Sequence, residues 1–270
     1  MASTTTATES RALINYQLEG GIAWLEMNDP PANTYTHEMM REMDDAILRA
    51  RFDDSVHVIV LRGAGDKFFS AGANIKMLAS VTPEFKYYFC LHANETLVRL
   101  EQTPKLVIAA LNGHTVGGGL EIALAADLRV ARRDAGKIGL PEVALGVLPG
   151  TGGTQRLSRL IGKSRAIELM VSGRTFSFEE AEEIGLVNQV FDRDGFQEQV
   201  AAYAQQFLPP RKAARAVGRI KRAVCSGLEM SLGEGLALER ELQQHLFQSQ
   251  DAHEGLSAYV EKRAPNFKAK

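Results

Sequence analysis

Apolar positions along the chain fall into two kinds of run. Residues 22–27, IAWLEM, form a short and nearly continuous apolar run closed by the turn residues NDPPAN, which predicts a strand. Between Thr36 and Phe52 the pattern changes: Met39, Met40, Met43, Ile47 and Leu48 recur at helical spacing. The β-branched run HVIVLRG (57–63) predicts a strand covered on both faces. A glycine-punctuated stretch, AGDKFFSAGANI (64–75), reads as loop, and a helix is predicted over roughly 83–102. LVIAAL (106–111) is a second buried strand, followed by three glycines that lead into a helix. DLRVA (127–131) and LVNQVF (186–191) predict further strands, with one helix near 154–171 between them. Short buried strands alternating with helices indicate the α/β class. After about Arg193 the strand signals stop and helical periodicity takes over, with FLPPRK (207–212) as the break. The predicted organisation is a disordered tail over 1–14, a core carrying the site over 15–200, and a helical region over 201–270. No fixed-period repeat stands out.

Composition narrows the classes. The 270 residues are 45% hydrophobic and 24% charged, as in ordinary globular domains, and long enough for one large core. A net charge of −2 supplies no field to draw the chain to nucleic acid or an anionic membrane. Two cysteines, Cys90 and Cys225, fit a reducing compartment, and no apolar run approaches the roughly 20 residues of a membrane span. The opening MASTTTATESRA has no apolar h-region and is not read as a secretory signal. The expectation is a cytoplasmic protein. Six histidines show no metal-ligand spacing, and HExxH, CxxC and GxSxG are all missing, so neither a metal site nor a serine nucleophile is indicated. The basic stretch RKAARAVGRIKRAV (211–224) interleaves its charges with Ala, Val and Ile and reads as a solvated helix face.

Two carboxylates stand out. Glu121 is the one acid in GHTVGGGLEIALAA (113–126), and Glu142 is the one charge in IGLPEVALGVLPGTGG (138–153). Each alone could be a helix-start acid satisfied by nearby N–H groups. Together, beside glycine clusters, they suggest more. Gly117-Gly118-Gly119 bring the backbone into a helix whose first N–H groups lack intrahelical partners, and Ala71-Gly72-Ala73 can offer a matching N–H. Two such donors make an oxyanion hole, and two buried acids beside it can handle a water, one taking its proton and the other giving one to carbon. The Gly run lacks the Lys-Ser/Thr of a phosphate-binding P-loop.

FFSAGANIKML (68–78), AALNGHTVGGGLEIALAADLRVA (109–131), GLPEVALGVLPGTGGTQRL (139–157) and EKRAPNFK (261–268) closely resemble the enoyl-CoA hydratase/isomerase superfamily, the crotonases, from about residue 15 to the end. The resemblance implies a spiral of ββα units and a helical C-terminal trimerisation region, in a homotrimer or a homohexamer of two trimers. Its implied substrate is an acyl thioester of coenzyme A; CoA is part of that substrate, with no separate cofactor and no metal. Ala73 and Gly118 match the oxyanion-hole donors. Glu121 matches the residue that activates water, Glu142 the residue that exchanges the proton at Cα, and Gly150 a glycine holding the water. Ala71 and Ala73-Asn74-Ile75-Lys76 match the segment contacting CoA, and Lys262 a lysine reaching the CoA phosphates of a neighbouring subunit. Both glutamates being present favours hydration or the reverse dehydration; dehydration of a branched or functionalised 3-hydroxyacyl-CoA, isomerisation, and an RNA-binding homologue resting on 211–224 are the alternatives. Asn74 departs from the usual Asp, and Thr34-Tyr35 replace small and aliphatic residues. Phe85, Tyr87, Tyr88 and Phe89 fall where the family lines its acyl pocket. Leu238, Leu242 and Leu246, on one helical stripe, are expected to make subunit contacts.

Overall fold

In the computed structural model, which describes residues 11–270, the chain opens with an antiparallel hairpin of β1 (Ile14–Glu19) and β2 (Ile22–Met27). Its two-residue turn, Gly20-Gly21, takes φ of +55° and +87°, the backbone such a turn requires. β1 escapes sequence reading because it is an edge strand with one buried residue, Ile14. The tail expected over 1–14 therefore stops short of Ile14, and residues 1–10 lie outside the described residues. α1 (His37–Phe52) follows, N-capped by the Thr36 hydroxyl, with Met39, Met40, Met43 and Ile47 on its buried face as predicted.

Three times the chain then makes a strand of the main sheet, a short strand of a second sheet, and helix. β3 (Val58–Gly63) leads to β4 (Phe68–Ser70), α2 (Ile75–Ser80) and α3 (Pro83–Glu101). β5 (Leu106–Leu111) leads to β6 (His114–Val116) and α4 (Gly118–Leu124). β7 (Leu128–Arg132) leads to β8 (Ile138–Gly139), a 3-10 turn at Glu142–Leu145, α5 (Gly153–Ile161) and α6 (Lys163–Ser172). α7 (Phe178–Glu183), β9 (Gln189–Phe191) and α8 (Phe196–Gln205) complete the layers. The main sheet has the order β1-β2-β3-β5-β7-β9, parallel after β2; the second is β4-β6-β8, also parallel. This is the expected ββα spiral. Its units differ in length, which hides the repeat from a search for a fixed period.

Alternate residues of the central strands feed two cores, which is why these strands read as continuous apolar runs. Ile59, Leu61, Val107 and Ala109 join the larger core, while Val58, Val60, Ile108 and Ala110 pack with Phe196, Val200 and Ala204 of α8. Three local expectations are corrected. The loop at 64–75 contains β4, the single helix near 154–171 is broken at Gly162 (φ +85°), and only 189–191 of the strand 186–191 is extended. The boundary drawn at 200 falls inside α8; the chain leaves the sheet layer after Gln205.

Beyond it lie α9 (Ala214–Gly227), α10 (Leu232–Phe247) and α11 (Gln250–Val260). On the leucine stripe of α10, Leu242 is buried within the protomer, and Leu238 and Leu246 are half-buried. α10 packs along α9, and Leu238 and Leu246 keep part of the stripe open to solvent on the protomer. α9 carries most of the basic stretch, and Lys221 at its centre turns inward to Asp127 Oδ2 at 2.9 Å. None of the helices among the described residues is long and apolar enough to cross a membrane.

Candidate active site

α4 sits directly on the second sheet because its first residues have no side chains. A Cβ on Gly119 would stand 2.8 Å from the Ser70 carbonyl carbon, inside the shell of its oxygen, and one on Gly118 would stand 2.8 Å from Cζ of Tyr35. That fit buries the whole of α4 and with it Glu121, which is 2% exposed. Its Oε1 accepts two backbone N–H bonds, from Thr151 at 2.7 Å and Gly153 at 2.8 Å. Burial pushes the carboxyl up, and the two N–H groups oppose this by favouring the ionised form. Thr151 and Gly153 were not singled out in the sequence, although they lie in the quoted GTGGTQ run beside Gly150.

Glu142 opens the 3-10 turn after Pro141. Its Oε1 faces the backbone at Gly117, where a Cβ would stand 3.2 Å away. Its Oε2 is buried with no hydrogen-bond partner among the described residues. Burial raises its pKa to about 7; its own N–H works against the rise, and the nearby Glu121 charge adds to it. An acid with an unpartnered oxygen and a pKa near neutrality is suited to exchange a proton with a ligand.

The expected donors lie where α4 meets the loop after β4. Gly72 takes φ +90° and presses on Gly118, so that a Cβ there would stand 2.7 Å from the Gly118 nitrogen. The loop is pinned to residue 35 by Tyr35 N–H to Gly72 O at 3.0 Å and Asn74 N–H to Tyr35 O at 3.0 Å. In that parallel bridge the N–H of Ala73 points away from residue 35. Neither Ala73 N–H nor Gly118 N–H has an acceptor among the described residues. Tyr35 is buried, stacks on Phe89 at 5.7 Å, and shares a 3.0 Å hydrogen bond with the Thr151 hydroxyl. Burial holds its phenol well above the ordinary range, so it is a neutral hydroxyl.

The remaining expected residues divide. Gly150 is at the site, packed under Cys90 and Lys86 of α3. Ala71 donates its N–H to Ala32 O, and Ile75 and Lys76 are exposed on α2 beside the donor loop. Asn74 caps α2, accepting from Met77 N–H at 3.0 Å, and donates to Thr34 Oγ1 at 3.2 Å. The Thr34 hydroxyl spends its proton on Asp29 at 2.7 Å, so it can only accept from residue 74. An Asp there would meet it acceptor to acceptor; the two departures, Asn74 and Thr34, explain each other. Lys262 follows α11 in the C-terminal region, with its N–H bonded to Tyr259 O at 3.3 Å. Of the four aromatics, only Phe89 is buried; Tyr87 and Tyr88 are exposed on the outer side of α3, and the partly exposed Phe85 stands edge-on to His37 of α1 with ring centroids 6.1 Å apart. The inward face of α3 is instead Lys86, Phe89, Cys90, Ala93 and Asn94.

The sequence model of the enoyl-CoA hydratase/isomerase family matches residues 17–270. The chain is similar to a probable enoyl-CoA hydratase of Bacillus subtilis (strain 168), 36% identical over 257 residues, covering 94% of this chain and 98% of the relative. It is also similar to a short-chain-enoyl-CoA hydratase of Clostridium acetobutylicum, 37% identical over 246 residues, covering 91% and 93%. Among solved structures, an enoyl-CoA hydratase from Geobacillus kaustophilus HTA426 superposes with a TM-score of 0.94 at 48% identity, covering 97% of this chain and 98% of that one.

Proposed function

The chain belongs to the enoyl-CoA hydratase/isomerase family and is an enzyme of that kind; within it we propose that this member adds water reversibly across the 2,3 double bond of a 2-enoyl-CoA. The observation that carries the reading is the pairing of two unlike acids beside two unpartnered N–H groups. The thioester carbonyl accepts from Ala73 and Gly118, which draws electrons from Cβ and holds the enolate formed on attack. Glu121, with Oε1 fixed by Thr151 and Gly153, takes a proton from the water as its oxygen bonds to Cβ. Glu142 delivers its proton to Cα, and the enolate collapses to the 3-hydroxyacyl thioester. Both acids act from one side of the ligand, so addition is syn. Coenzyme A enters as part of the substrate, and the chemistry asks for no other cofactor or metal.

The pair must carry one proton, on Glu142 for hydration. With Glu142 near 7, kcat/KM is expected to fall as pH rises through about 7 and the pair loses that proton. The test follows loss of the enone absorbance across straight-chain and branched 2-enoyl-CoA substrates as a function of pH. Hydration with an alkaline limb near neutrality supports the reading. An unchanged absorbance with every substrate, or a rate still flat at pH 9, contradicts it.

A further inference from the structure

One charge at the site carries no bond-making step in that chemistry. Lys86 stands on the inward face of α3, in register with Cys90 and Asn94, over the loop that holds Glu121. A Cβ on Gly150 would meet Cys90 Sγ at 3.2 Å and Lys86 Nζ at 3.7 Å, and Asn94 Nδ2 points to Gly150 O at 3.4 Å. The ammonium is half-buried and its one hydrogen-bond acceptor is Cys90 Sγ at 2.9 Å, a weak one. No carboxylate lies within ion-pair distance of it among the described residues, although other acids of the region are matched, as Glu101 is by Arg156 at 2.7 Å. Its field reaches Glu121 and favours that carboxylate's ionised form. A half-buried cation whose neighbours are a thiol and the Phe89 ring, 5.6 Å to its centroid, is a poor neighbour for a hydrocarbon tail.

Its position along the ligand follows from the donors. In the hydratase reading the thioester carbonyl sits at Ala73 and Gly118, Cα by Glu142, and Cβ by Glu121, whose N–H partners are residues 151 and 153. Gly150, the residue before Thr151 in the chain, has Lys86 and Cys90 against it, on the side of Glu121 that faces Cβ in this reading. We propose that Lys86 is an anion subsite at the acyl end of the pocket, and that the enzyme selects short 2-enoyl-CoA substrates whose acyl chain ends in a carboxylate. This rests on the hydratase reading. The carboxylate supplies the acceptor and the counter-charge that Cys90 does not, and the Cys90 thiol adds a weak donor beside it.

The test compares pent-2-enedioyl-CoA, which has a terminal carboxylate, with its uncharged counterpart pent-2-enoyl-CoA. The wild type is expected to favour the diacid thioester in kcat/KM by about tenfold or more, the scale of a hydrogen bond to a charged group. Lys86→Met should lose that preference and Lys86→Arg should keep part of it. The ratio of the two substrates is the readout, because removing Lys86 also alters the field on Glu121 and so the rate with both. A second measurement needs no turnover: the dissociation constants of the saturated thioesters glutaryl-CoA and pentanoyl-CoA, expected to differ in the same direction and to converge in Lys86→Met. Equal or reversed wild-type ratios overturn the subsite, whatever the variants do. Hydration of pent-2-enoyl-CoA without a diacid preference overturns the subsite alone; preferential binding of glutaryl-CoA without hydration of either enoyl thioester supports the subsite and overturns the hydratase reading.

Discussion

Glu121→Gln and Glu142→Gln are each expected to lower the rate of hydration by about 10²-fold or more, the usual scale for loss of a general acid or base. Each amide keeps the shape of the site. At residue 121 the Gln carbonyl still accepts from Thr151 and Gly153, so the loop that frames the site stays in place. At residue 142 the substitution removes a raised carboxyl, and the alkaline limb near pH 7 should vanish from the residual rate. The same group affects stability with a definite sign. An unfolded Glu142 releases its proton near 4.5 and the folded one near 7, so folding loses stability as pH rises through that window. Glu142→Gln should therefore flatten the pH dependence of the unfolding midpoint between those values while lowering the rate. Because one shared proton serves both acids, the double variant should be far less impaired than the product of the single effects. A near-normal rate in either single variant would remove that residue from the mechanism.

Gly119→Ala is expected to be almost as damaging without touching a reacting group. The added methyl meets the backbone of Ser70, which cannot rotate away. Either α4 or the strand β4 has to move, and these elements carry Gly118 and the approach to Ala73. Displacing a donor by about 1 Å can cost roughly 10²-fold in rate, and overpacking of this kind costs about 1–3 kcal/mol or more in stability. Gly146→Ala is the comparison. Gly146 has a positive φ, of +71°, which Gly119 does not, but open space around it, so the alanine strains only the local turn. Loss of activity should follow Gly119 and not Gly146. Equal, mild effects at both would show that α4 does not depend on close approach to β4.

The pattern of apolar positions was a good guide where a run was long and its faces unlike. α1 reads cleanly because its buried methionines and isoleucine follow the helical period, and β3 and β5 because both faces are covered. β4, β6 and β8 were invisible as strands: two or three residues between glycines carry no period, and they are defined only by pairing with one another. The α10 stripe was legible as apolar, and its central Leu242 is buried in its own chain, a destination that a sequence alone does not distinguish from a neighbouring one. In the site, Glu121 and Glu142 announced themselves as lone acids in apolar runs. Thr151 and Gly153 did not, because they act through backbone N–H groups that any residue type supplies. Lys86 was hidden for a different reason. Its neighbours Phe85, Tyr87 and Tyr88 are the conspicuous residues, yet helix geometry turns the tyrosines outward, sets Phe85 against His37 of α1, and turns the lysine to Gly150.

The central claim is that Ala73 and Gly118 present two N–H groups to a thioester carbonyl. Those donors are backbone, so the ligand is a cleaner probe than a substitution. In the Glu121→Gln/Glu142→Gln double variant, where turnover is slow, a bound 2-enoyl-CoA can be observed by vibrational and absorption spectroscopy. Preorganised donors of this kind are worth about 3 kcal/mol each where charge develops. The account predicts a C=O stretch moved to lower frequency and an enone absorption moved to the red, relative to the thioester in water. A bound substrate whose carbonyl spectrum matches that in water would contradict it, because hydration as argued here begins with that polarisation.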